Sequence, residues 1–296
     1  MRKLYKYRQL YILLLPTLLY YLIFCYGPMF GLTMAFQDFS ITRGFLKSDF
    51  VGLENFTKFF NDTNCWRLIR NTLSISIWQL VFAFPLPIIF ALMLNEIANQ
   101  RFKRTVQTIT YMPYFISLVV VSSLVLTFVS SDGLINSLLG LFGVKKISFM
   151  TDPDYFYPIY TISGIWQNLG WDSIIYIAAL AGIDQALYEA AQIDGAGKWK
   201  QVLHVTLPGI SPTIIILLVL KIGSLMSVGY EKVMLLYNST IYSKADVIST
   251  YVYRRGIIDT EYSYSAAVGM FKSIINFMLL VTANFISKKT TETGLW

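Results

Sequence analysis

Six stretches of about twenty mostly apolar residues recur along the chain, near 10–33, 72–94, 109–130, 156–181, 211–230 and 264–286. At ~1.5 Å of rise per residue, each can cross about 30 Å of hydrocarbon as a helix. Lipid offers no partner to backbone N–H and C=O groups, so a spanning segment of this length must satisfy them within itself, and a helix does that. Composition points the same way. The 296 residues are 55% hydrophobic and 14% charged, whereas a soluble domain carries roughly a quarter charged residues. The pattern predicts an all-α integral membrane protein with six transmembrane helices.

The formal charge of +7 does not point to nucleic acid, because the basic residues gather at the ends of apolar runs. There they serve anionic lipid and orientation. Two cysteines, Cys25 and Cys65, and one histidine, His204, leave no disulfide framework, CxxC spacing or histidine-based metal centre. The first apolar run follows Arg2, Lys3, Lys6 and Arg8. It is too long for a signal-peptide core and lacks a small-residue cleavage site, so it is expected to remain as a helix. Lys and Arg counts tie at 11 on each side of the six spans. One set is packed into short segments (the N-terminus, Arg101–Arg104, Lys198–Lys200 and Lys288–Lys289), and short loops are the ones read during insertion. Both termini are therefore expected in the cytoplasm.

Pro85 and Pro87 are expected to interrupt the second span, Pro113 opens the third, and Gly164 and Gly170 lie in the fourth. Such residues suit a packed bundle around a path better than separate anchors. No internal repeat supports an inverted-repeat carrier. The expected division is a segment of residues 1–70 with the first helix and an outer loop, a core of five helices over 71–287, and a tail over 288–296.

Between the fourth and fifth spans runs IDQALYEAAQIDGAGKWKQVLHVTLPGI. Asp184 suits an N-cap, Gln185 to Asp194 are mostly helix formers, and Gly195 can supply a left-handed stop. Leu187, Ala190, Ala191 and Asp194 share one helical face. A second helix is expected from about Lys198, with Trp199, Val202, Leu203 and Thr206 on one face, until Pro208 turns the chain back to the membrane. Read from the residues alone, this hairpin is either a plain connector or a docking element.

The string Glu189-Ala190-Ala191, then Gly195, then nine residues to Val205 and a Thr206-Leu207-Pro208 ending resembles the EAA signature of ABC importer permeases. Gly164-Ile165-Trp166-Gln167 through Trp171, Gly229 to Asn238, and Asp246 to Arg254 are similar to the binding-protein-dependent saccharide branch, the MalF/MalG-like permeases, and within it to those for complex or polysaccharide-derived sugars. The resemblance implies a type I ABC importer permease fold whose coupling helix, between the fourth and fifth spans, seats in a cleft of an ATPase. Glu189, Ala190, Ala191, Asp194, Gly195, Leu207 and Pro208 then carry the coupling. It also implies a second permease subunit, two ATPase subunits that hold ATP and Mg, an extracellular sugar-binding protein, and a bacterial cell membrane as location. No cofactor is expected on this chain. Gly195-Ala196-Gly197-Lys198 mimics part of a phosphate-binding loop, but Gln192 and Trp199 stand where that loop needs Gly and Ser or Thr.

Ionisable residues at membrane depth line a path or pair with one another. Asp172 and Lys221 are expected at matching depths, about 12 and 15 Å from the cytoplasmic end, either as a structural ion pair or as path residues. Trp166, Asn168 and Trp171 add rings and an amide. Rings stack on the C–H faces of sugars and amides bond their hydroxyls. Gln79, Asn276 and Lys272 are further candidates, and interhelical hydrogen bonding is the alternative role for each. The expected function is half of the pore of an ATP-driven oligosaccharide importer. A permease for another solute is a second reading. A membrane-embedded lipid or glycan transferase is a third, disfavoured because no cluster of carboxylates or histidines lies near the membrane face.

Overall fold

The computed structural model describes residues 7–296, so Arg2, Lys3 and Lys6 lie outside the described residues. Apart from one two-residue-per-strand antiparallel ribbon, in which Gln37 faces Phe50 and Asp38 faces Asp49, regular structure is helical. Four helices are long and apolar enough to cross a membrane: Arg8–Phe36, Cys65–Glu96, Lys198–Ile222 and Tyr262–Thr291. Two bent pairs complete the set, Gln100–Phe115 with Leu118–Phe128 and Pro153–Ala181 with Gln185–Ile193. Counting each pair as one span gives six, and these are numbered one to six below in chain order.

Three prolines are absorbed rather than allowed to break their helices. A π-helical turn precedes each: Tyr21–Tyr26 before Pro28, Gln79–Ala83 before Pro85, and Val202–Thr206 before Pro208. Proline lacks an N–H and crowds the carbonyl four residues back. A widened turn moves that carbonyl aside and lets other amides bridge it. The expected interruption of the second span is therefore a continuous helix. The expected turn at Pro208 is likewise corrected, because the second loop helix and the fifth span are one helix, Lys198–Ile222. That helix ends at Ile222, eight residues short of the expected 230, which puts Lys221 in its last turn rather than midway along it.

The third span departs most from expectation. Instead of one rod over 109–130, two helices meet at 100°. Pro113 lies in a 3-10 turn Met112–Phe115, Ile116 is extended, and Ser117 caps the next helix through the Val120 N–H. Gln167 donates to the freed Ile116 carbonyl. The fourth span's helix, Phe156–Ala181, begins and ends where the apolar run does. Its Gly170 lies against the Thr110 carbonyl and the Tyr111 ring, so closely that a Cβ there has no room.

The chain forms two compact units. The smaller holds the described part of Met1–Asp62 with Val252–Phe271. In it Arg43 bridges Asp38 and Asp49, Asn55 donates to the Ala35 and Gln37 carbonyls, and Phe59, Phe60 and Phe271 pack as a ring cluster.

The larger unit holds Thr63–Tyr251 with Lys272–Trp296. One apolar core joins Ile75, Phe156 and Tyr160 to Val233, Leu236, Ile241, Ala245 and Val247. Polar ties fix the 243–250 segment over the second span. Asn71 donates to the Ser243 and Asp246 carbonyls at 3.0 and 2.9 Å, Tyr157 donates to Asn71, and Ile248 N–H donates to Thr72. A second core, of Ile88, Ala91, Tyr176, Leu180 and Ile210, packs spans two, four and five together.

Candidate functional site

The 184–208 loop is a capped, internally hydrogen-bonded element with exposed apolar side chains. The Asp184 carboxylate accepts from Ala186 N–H at 3.0 Å, as expected of the N-cap. The helix Gln185–Ile193 then stops in a Schellman turn. Ala196 N–H reaches the Ala191 carbonyl at 2.8 Å and Gly195 N–H the Gln192 carbonyl at 3.0 Å, with Gly195 at φ +75°. An L side chain is strained in that region, and glycine is not. Three ties brace the hairpin: Gln201 to the Ala196 carbonyl at 2.8 Å, the Tyr188 and Thr206 hydroxyls at 3.0 Å, and Lys198 to Glu96 at 3.3 Å.

Against this bracing, Leu187, Ile193, Trp199 and Leu203 point outward, Ile193 and Trp199 at 87% and 81% exposure. Four large apolar side chains on one braced hairpin make a surface suited to a protein partner. Glu189, Ala190, Asp194, Gly195 and Pro208 are exposed as well, whereas Ala191 and Leu207 are half-buried. Ile193 escaped the sequence reading because it falls off the Leu187–Ala190–Ala191 face.

The expected path residues fall into separate places. Trp171, Asp172 and Lys221 come together on an open cavity of about 450 Å³, lined also by Phe84 and Pro87 of the second span and Tyr176 of the fourth. Trp171 is held there by stacking on Tyr114 at 4.3 Å between centroids, with Phe115 edge-on. These two rings come from the 3-10 turn ahead of the bend, so the break at Pro113 brings them against Trp171; nothing in the linear pattern signals it. Asp172 and Lys221 share the cavity without approaching to ion-pair distance. Trp166 lines a different, apolar cleft with Leu124, Phe128 and Ile162. Asn276 is occupied in holding a turn, accepting from Met226 N–H at 2.9 Å and donating to Ser227 at 2.8 Å.

Two of the remaining candidates, Asn168 and Gln79, belong to a second polar group. Asn168 donates to the Gly164 carbonyl at 2.9 Å, and Gln79 approaches the Tyr160 hydroxyl. Lys232, within the 229–238 stretch of the family resemblance, donates to the Tyr160 carbonyl at 2.9 Å. It lies in the short helix Tyr230–Leu236, outside the six spans, and burial pushes its ammonium down to about 8. Lys272 is half-buried in the sixth span. Among the described residues, no three His, Cys, Asp or Glu side chains gather as metal ligands do.

Known proteins share both the sequence and the fold. The chain is 47% identical over 290 residues to Protein LplB of Bacillus subtilis (strain 168), covering 98% of this chain and 91% of that protein. It is 43% identical over 295 residues to the polygalacturonan/rhamnogalacturonan transport system permease protein YteP of the same organism, covering 99% and 92%. A chain in the crystal structure of a bacterial alginate ABC transporter, in complex with an alginate pentasaccharide-bound periplasmic protein, superposes with a TM-score of 0.91 at 42% identity, covering 99% of both chains. The binding-protein-dependent transport system inner membrane component family matches residues 83–291. This multi-pass membrane protein, with the helical fold of an ABC importer permease, belongs to that family.

Proposed function

We propose that the chain is the permease subunit of an ATP-driven ABC importer and forms half of the pore for an oligosaccharide delivered by an extracellular binding protein. The observation that carries this reading is the 184–208 hairpin, braced by its own ties and bearing exposed large apolar side chains. Its Ile193 and Trp199, 87% and 81% exposed, offer apolar surface to a protein partner. The family supports a transport role over an enzymatic one. A saccharide cargo is supported by the named substrates of the polygalacturonan/rhamnogalacturonan permease and of the alginate transporter.

In this reading both termini and the hairpin face the cytoplasm of a bacterial cell. Two ATPase subunits, which hold ATP and Mg, close against the hairpin of this chain and that of a second permease. Glu189, Ala190, Ala191, Asp194 and Gly195 meet the ATPase, and Leu207 and Pro208 pass its movement into the fifth span along the unbroken helix Lys198–Ile222. The cavity of Trp171, Asp172 and Lys221 is a station on the sugar path. Residues 71–287 supply the core of five helices, and residues 288–296 the cytoplasmic tail.

Purification of the solubilised chain from its native membrane tests the assignment. Co-purification of an ATPase, together with ATP-driven saccharide uptake after reconstitution, is the expected result. A chain that purifies alone and transports no saccharide overturns it.

A further inference from the structure

One cation in the larger unit has no acid to answer it. Lys232 is half-buried, donates to the Tyr160 carbonyl at 2.9 Å and lies 4.6 Å from the centroid of the same residue's ring. Among the described residues no carboxylate pairs with it, and its sequence neighbour Glu231 is exposed. An ammonium has three donors, and the carbonyl takes one. Withdrawing a cation from water is costly when no opposite charge compensates.

Docking a segment onto carbonyls does not need a charge. Asn71 holds the 243–250 segment with a neutral amide, and Asn136 ties the Ser130 and Ile147 carbonyls in the same way. At Lys232 the fold keeps a charge where an amide suffices for attachment, and leaves that charge two unused N–H groups.

The surroundings suit a saccharide. The ammonium packs against Gly164, where a Cβ would stand only 3.1 Å from Nζ. The Asn168 amide is anchored on the Gly164 carbonyl, and Gln79 approaches the Tyr160 hydroxyl. A ring, two amides and a cation without a carboxylate partner are therefore linked through Tyr160 and Gly164.

We propose that Lys232 is the carboxylate-reading residue of the sugar path, and that the imported oligosaccharide is acidic, bearing uronate carboxylates. The proposal rests on the saccharide-permease reading above. One charge-assisted bond from a half-buried ammonium selects an anionic sugar and still lets it leave.

The test measures binding of trigalacturonate and of its full methyl ester to the detergent-solubilised transporter without its delivery protein. The wild type is expected to favour the acid by about tenfold or more, the value of one hydrogen bond to a charged group. Lys232→Gln loses that preference while its affinity for the ester is unchanged, and Lys232→Arg keeps it. Co-purification of the ATPase with each variant reports assembly. If Lys232→Gln does not assemble, Gly164→Ala, which displaces the ammonium, is expected to weaken acid binding alone. A wild type with no preference, or a Gln or Ala variant that retains it, overturns the proposal. Reconstituted uptake separates the two levels. ATP-driven import of a neutral oligosaccharide by a wild type that ignores the acid removes this inference only, whereas import of no saccharide at all removes the permease reading.

Discussion

Two residues show how local chemistry sets the shape of the proposed site. Gly195 holds φ +75° with open space around its Cα, so a side chain there meets strain rather than a clash. Gly195→Ala is expected to cost about 1 kcal/mol of local helix-stop stability, and Gly195→Asn much less, because Asn tolerates the left-handed region. Hydrogen exchange of the Ala196 amide, which closes the turn, checks this: faster in Ala, near wild type in Asn. Asn71 is fully buried and joins two carbonyls and the Tyr157 hydroxyl. Asn71→Ala leaves those groups without partners and is expected to cost about 1–3 kcal/mol, read as a lower Tm of the solubilised protein. The sequence shows an asparagine at the head of an apolar run; it does not show the segment 170 residues away that the asparagine holds.

At the scale of elements, apolar length found the candidate spans, but not their geometry. The fourth helix was legible to the residue, because its run is bounded by Pro153 and by Gly182 with the Asp184 cap. The bend in the third was not. Whether a proline kinks, breaks or is absorbed depends on which donors and carbonyls neighbouring helices supply, and Gln167, about fifty residues on, supplies the donor here. The same packing makes Gly170 an obligatory small residue. Gly170→Ala places a Cβ against the Thr110 backbone carbonyl and is expected to cost about 1–3 kcal/mol of overpacking. Gly164→Ala, earlier in the same helix, meets only the end of Lys232, so the fold accommodates it. Parallel melting curves of the two variants check the contrast, with the lower Tm expected for Gly170→Ala alone.

For the whole molecule, the readable part of the proposed site was the part that is local in sequence. Cap, stop and small face of the 184–208 hairpin are written within twenty-five residues. The cavity around Asp172 and the cluster around Lys232 draw on residues from three elements each, and only the fold shows that Trp166 and Asn276 stand apart from both. If the hairpin transmits ATPase closure through one unbroken helix, a charge reversal on its exposed face breaks coupling and leaves the pore intact. The most direct measurement is ATP-driven saccharide uptake and ATP hydrolysis by reconstituted transporter carrying Glu189→Lys. The expected result is loss of uptake with the binding protein still docking. Uptake at the wild-type rate contradicts the coupling role of the hairpin.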